Sequence, residues 1–126
     1  MTSSESGPPI VVVSARIDPG ELRRLVELYF GDMVKLVIDV ERQRVALGGE
    51  LHADAEAVLL EGGSLQTDLW GANYYPGLGP GQCLEYTALI NIRPAQGNRS
   101  MEVQDPPTRE RMAALVSALV GTGEPL

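Results

Sequence analysis

Three groups of residues in this sequence have types and spacings that could do chemistry. The first is Glu50, His52 and Asp54, which follow the pair Gly48-Gly49. An imidazole titrates near neutral pH, so His52, with Glu50 beside it or Asp39 across a hairpin, could take or give a proton. The simpler reading is structural, with His52 or Asp54 capping a helix and Glu50 resting near its positive end. A single His with carboxylates would suit Mg²⁺ or Mn²⁺ better than zinc. The spacing matches no established metal motif, so no metal site and no cofactor is expected.

The second group is Asn91, Arg93, Gln96, Asn98, Arg99 and Ser100, with no acidic residue between Asn91 and Met101. Guanidinium forks fit carboxylate or phosphate in bidentate fashion, so this stretch is the expected anion-binding loop. Its alternative is a solvated loop pairing with surface acids. The third group is Trp70, Asn73, Tyr74 and Tyr75, which could wall a ligand pocket or anchor an interface, or simply pack a core. Arg93, Gln96, Asn98, Arg99, Asn91, Trp70 and Asn73 are therefore the candidate ligand-binding residues. His52, Glu50 and Asp39 are the candidate catalytic ones.

Several familiar arrangements are missing. There is no phosphate-binding G-x-x-x-x-G-K-[ST] loop, no G-x-G-x-x-G after a strand and no G-x-S-x-G elbow. One Cys (Cys83) and one His exclude Cys- and His-rich zinc patterns. A Cys–His dyad would need Cys83 and His52 to be neighbours in space.

The elements that must position these groups follow from periodicity. Ile10 to Ser14 reads as a short buried strand. Asp18, Pro19 and Glu21 signal a helix start, and Leu22, Leu25, Val26 and Tyr29 share one face up to Gly31. Val34, Leu36, Ile38 and Val40 alternate along a strand, and Val45 to Leu47 returns as its hairpin partner. A second helix runs from about residue 51 or 52 to Glu61. Further strands are expected over Leu69 to Tyr75, Leu84 to Arg93 and Met101 to Gln104. The last helix opens at Asp105-Pro106 and carries Met112, Leu115, Val116, Leu119 and Val120 on one stripe.

This order gives an α+β domain: a mostly antiparallel sheet of about five to six strands with about three helices packed on one face. Residues 1–9 read as a disordered leader and 10–126 as one domain. The first strand–helix–strand unit could make a parallel crossover. The sheet's polar face would carry Lys35, Asp39, Glu85, Thr87, Asn91 and Arg93.

With 126 residues and a formal net charge of −7, the chain is one domain in size, and its surface repels a phosphate backbone, so no nucleic-acid partner is expected. No segment has the length of an apolar membrane span, and no membrane partner is expected. A lone Cys points to a reducing cytoplasm. An open sheet has edges to cover, which favours a homo-oligomer.

Three stretches, Gly48-Gly49-Glu50-Leu51-His52-Ala53-Asp54, Asp68-Leu69-Trp70-Gly71-Ala72-Asn73 and Ile90 to Met101, together resemble a small family of uncharacterised bacterial and archaeal proteins classed as a domain of unknown function. The resemblance covers residues 10 to 120 and implies one domain, without implying an activity. The residues themselves favour a small binding or interaction module for an anionic ligand or a protein partner. The alternative is a small hydrolase or transferase acting on a phosphate or carboxylate substrate through His52 and its acidic partners.

Overall fold

Runs of β-branched and leucine residues build the centre of the molecule. In a computed structural model, which describes residues 9–126, the chain forms β1 (Val11–Val13), α1 (Pro19–Tyr29), β2 (Val34–Asp39), β3 (Arg44–Leu47), α2 (His52–Glu61), β4 (Leu69–Tyr74), β5 (Leu84–Glu85) and α3 (Pro106–Leu119). The five strands pair in the order β1-β3-β2-β4-β5, every neighbouring pair antiparallel. The fold is α+β, as the periodicity implies. β1 and β2 run parallel with β3 between them, so β1-α1-β2 is the expected crossover with a strand inserted. The leader expected over residues 1–9 lies, Pro9 apart, outside the described residues.

The helix starts follow from their caps. The Asp18 carboxylate accepts from the backbone N–H groups of Gly20 and Glu21 at 2.9 and 3.2 Å. Asp105 does the same for Thr108 at 3.1 Å. Each is followed by Pro at the first helical position, where the missing N–H costs nothing.

The helices do not share one face. Leu22, Leu25 and Val26 of α1 and Met112, Val116 and Leu119 of α3 pack with Val34, Leu36, Ile38, Val45, Leu47, Trp70, Ala72 and Tyr74. On the opposite face, Ala55 and Leu59 of α2 pack with Val37, Ala46 and Leu69. Side chains alternate across a strand, so the apolar side chain of Val37, between Lys35 and Asp39, gives the supposedly polar face a core of its own. The α2 stripe is what covers it.

Two expected strands are also shorter than their pattern. From the Leu84 to Arg93 segment only β5 pairs with β4, through Asn73–Glu85 and Tyr74–Leu84. The segment then leaves the edge and turns through a 3-10 helix at Leu89–Asn91. The alternating positions consequently part company. Tyr86 packs on the α1/α3 side and Ile90 on the α2 side, while Ile92 is 44% exposed. Met101 to Gln104 lies antiparallel beside residues 86–88, held by Ala88 N–H to Met101 O at 3.1 Å and Val103 N–H to Tyr86 O at 3.0 Å, with a single Thr87–Glu102 bridge.

Candidate functional site

The Asn91 to Ser100 loop is rich in donors, and backbone carbonyls, most of them outside the loop, take the donors of Asn91, Arg93, Gln96 and Asn98. Where β5 stops short, the Asn91 side chain replaces it: Oδ1 accepts from Gly71 N–H at 2.8 Å, and Nδ2 donates to Gly71 O and Met101 O, both at 3.0 Å. Asn98 Nδ2 reaches the carbonyls of Asn91, Ser100 and Glu102 at 2.8, 3.0 and 3.0 Å, and its Oδ1 accepts from Gln104 N–H at 2.9 Å. Gln96 donates to Thr67 O at 3.0 Å and accepts from Arg93 Nη1 at 3.1 Å.

Arg93 is buried. Its guanidinium donates to the carbonyls of Ile90, Gln66 and Leu69 and stacks 4.5 Å from the centre of the Trp70 ring. Burial pulls its pKa down, and the Glu56 carboxylate pulls it back. Arg99 is exposed. Trp70, Gln96 and Asn98 do meet around one cavity of about 490 Å³, but the α3-capping Asp105 shares that cavity and would repel an anion.

Asp39 is fully buried. Oδ1 accepts from the N–H groups of Glu41 and Arg42 at 3.0 and 2.8 Å, and Oδ2 accepts from Ser64 Oγ at 2.6 Å and faces Arg44 Nε at 3.9 Å. These contacts hold the turn between β2 and β3. Asp39 pairs with Leu69 in the sheet, whereas His52 reaches Ala72, the partner of Leu36. Three residues along β2 separate the two levels, about 10 Å. The structure therefore does not bring Asp39 to His52, and Glu50 is exposed ahead of α2. Cys83 belongs to the α1/α3 side of the sheet and His52 lies on the other, so they form no dyad.

His52 is buried because it falls on the same stripe of α2 as Ala55 and Leu59. Its Nε2 lies 2.9 Å from the Ala72 carbonyl oxygen. A carbonyl only accepts, so Nε2 carries the proton and Nδ1 holds the lone pair of the neutral ring. Burial pushes the imidazole pKa below its ordinary value. The Ala72 carbonyl opposes that shift, the Lys35 charge adds to it, and the Asn73 side chain opposes it. Neither Asp54 nor His52 caps α2: the cap position is Leu51, and no side chain bonds there. The N–H groups of His52 and Ala53 thus have neither a helical acceptor nor a side-chain cap.

Beside this helix end lies a cavity of about 320 Å³ whose lining includes Lys35, His52, Asn73, Leu51, Leu89 and Met101. Leu51, Leu89 and Met101 are 59%, 70% and 41% exposed. Lys35 and Asn73 are direct cross-strand partners. The Lys35 ammonium lies 5.4 Å from the Phe30 ring centre, and no carboxylate pairs with it among the described residues. Asn73 Nδ2 donates to Glu85 Oε1 at 2.8 Å and Thr87 O at 3.4 Å, leaving a buried Oδ1 that completes no hydrogen bond among the described residues. Gly71 lets the wall close: a Cβ there would meet Ala88 Cβ at 2.5 Å and His52 Cδ2 at 3.2 Å. Sequence reasoning placed Lys35 only on a polar sheet face. Its signal was that it is the chain's sole lysine, on the same face of β2 as Val37.

A family model for proteins of unknown function, DUF5674, matches residues 11–119, from β1 to the end of α3. The chain belongs to the DUF5674 family. No curated protein and no solved structure matches it. Among the described residues of this DUF5674 protein, no three His, Cys, Asp or Glu side chains stand where they could hold a metal ion. No helix among them is long and apolar enough to cross a membrane.

Proposed function

We propose that this DUF5674 protein is a binding module for a small anionic ligand, taken up in the cavity beside the α2 N-terminus. The observation that carries this reading is Lys35, whose ammonium has no carboxylate partner among the described residues, in the lining of a cavity that also borders a helix N-terminus without a side-chain cap. Both features favour negative charge. An apolar lining with a few polar groups is the ordinary make-up of a ligand pocket. A hydrolase or transferase reading would need a carboxylate to work with His52. None lines the cavity, and the buried Asp39 is engaged at the β2–β3 turn.

The test is thermal unfolding of the whole protein with acetate, 4-methylpentanoate and phosphate. A ligand at 100 times its dissociation constant adds roughly 2.7 kcal/mol, a rise of several degrees for a chain of this size. A rise that saturates and is lost in Lys35→Met supports the reading. Flat melting curves with every anion overturn it.

A homo-oligomer fits the same architecture, because β1, three valines with Val12 40% exposed, is an edge strand with no further strand beside it among the described residues. Light-scattering mass checks this, and a monomer at high concentration removes it. The compartment we assign is the reducing cytoplasm, on the single unpaired and buried Cys83.

A further inference from the structure

We propose that the ligand of the α2 cavity is a small apolar monocarboxylate that carries an N–H or O–H donor beside its carboxylate, the chemistry of an N-acylated leucine. This inference rests on the anion-binding reading above and specifies its ligand.

Three features of the cavity each select one part of that molecule. Lys35 offers a single point charge, and no guanidinium lines the cavity. A Lys point charge with helix N–H groups can hold a carboxylate or a phosphate; with no second cation and a mostly apolar lining, this cavity suits the singly charged carboxylate better.

The second feature is Asn73, which is only 9% exposed and lines the same cavity. Both partners of its Nδ2, Glu85 Oε1 and Thr87 O, can only accept, which fixes the orientation of the amide. Oδ1 is then a buried acceptor without a completed hydrogen bond among the described residues: the His52 ring beside it, whose pKa it raises, spends its Nε2 proton on the Ala72 carbonyl, and such an acceptor costs free energy until a donor arrives. Lys35 and Asn73 are cross-strand partners, with Cβ atoms about 5 Å apart in such pairs. A head group with a carboxylate and an adjacent N–H or O–H presents one group to each member of this pair.

The third feature is the rim. Leu51, Leu89 and Met101 are exposed around the opening, where an aliphatic side chain would cover them. The cavity of about 320 Å³ lies at the small end of the range for ligand pockets, roughly 300–1,000 Å³.

The experiment is calorimetric titration of the full chain with N-acetyl-L-leucine, 4-methylpentanoate, N-acetyl-L-leucinamide and phosphate. We expect N-acetyl-L-leucine to bind. 4-Methylpentanoate lacks the donor, N-acetyl-L-leucinamide lacks the charge, and each should bind about tenfold more weakly or worse, the size of one hydrogen bond to a buried group. Lys35→Met should weaken N-acetyl-L-leucine binding by about tenfold or more. Asn73→Leu should abolish its advantage over 4-methylpentanoate; if that variant does not fold, the ligand comparison on the native chain decides alone.

Equal binding of 4-methylpentanoate, or tighter binding of phosphate, overturns this inference and leaves the anion-binding module standing. Equal binding of the neutral amide, no binding of any anion, or unchanged binding in Lys35→Met overturns both.

Discussion

Two polar regions flank β4, and they treat their hydrogen-bonding groups in opposite ways. In the Asn91 to Ser100 loop, the amides of Asn91, Asn98 and Gln96 and the guanidinium of Arg93 turn inward to carbonyls left open by a sheet edge that stops early. Beside α2, among the described residues, Lys35 has no carboxylate, the helix end has no side-chain cap, and Asn73 Oδ1 completes no hydrogen bond. The donor-rich stretch is thus scaffold, and the sparser one holds the unfilled capacity. A count of donors in a sequence does not locate a site; the difference between donors and the acceptors folding already supplies does.

The sharpest way to break this contrast is Asn91→Ala. It removes both partners of the Gly71 peptide group in a fully buried place. The expected loss is about 3 kcal/mol, because each orphaned buried group costs its desolvation. Urea unfolding measures it, and a loss below about 1 kcal/mol would mean the loop is not the scaffold described. Arg93→Lys comes next. It keeps the charge but loses the fork that reaches the Ile90, Gln66 and Leu69 carbonyls and the flat stack on Trp70. About 2 kcal/mol should go in the same assay.

These contacts also show what could be read from the chain beforehand. Asp18-Pro19 and Asp105-Pro106 announce α1 and α3 because a cap and a proline act locally. The alternation of Val34, Leu36 and Ile38 announces β2 and its buried face. The second face was hidden because it depends on Val37, Ala46 and Leu69 meeting from three strands, and no single strand shows that. The Leu84 to Arg93 pattern overstates a strand because Asn91 satisfies the β4 edge with its side chain instead of its backbone, which alternation cannot register. Of the candidate residues, His52 and Asn73 share the α2 cavity. Asp39 belongs to a turn: Glu41, Arg42 and Arg44 follow it closely in the chain, and only Ser64 comes from across the fold.

A gentler probe uses pH. His52 has a pKa below the ordinary imidazole value of about 6.5. As pH falls through that value the unfolded chain takes up a proton before the folded one does, so the unfolded chain gains. Stability should therefore decline from about pH 6.5 down to the lowered folded pKa, and level off for this group below it. His52→Gln can keep a donor near the Ala72 carbonyl without titrating, and its stability should change less across the same window. Identical pH profiles for the two proteins would show that the ring is not the buried neutral group described.

The smallest expected effect is the most informative about the α2 side. Lys35→Met removes the charge from a half-buried site that has no ion pair among the described residues and only a 5.4 Å approach to Phe30. Methionine keeps the aliphatic stem packed along the sheet. Folding stability should then change by less than about 0.5 kcal/mol, as for a surface position outside any network. A loss of 2 kcal/mol or so would show that Lys35 is a structural member like Arg93, and the two regions would no longer differ. With folding intact, any loss of anion binding in this variant belongs to the cavity itself, because nothing else in the molecule has been changed by the substitution.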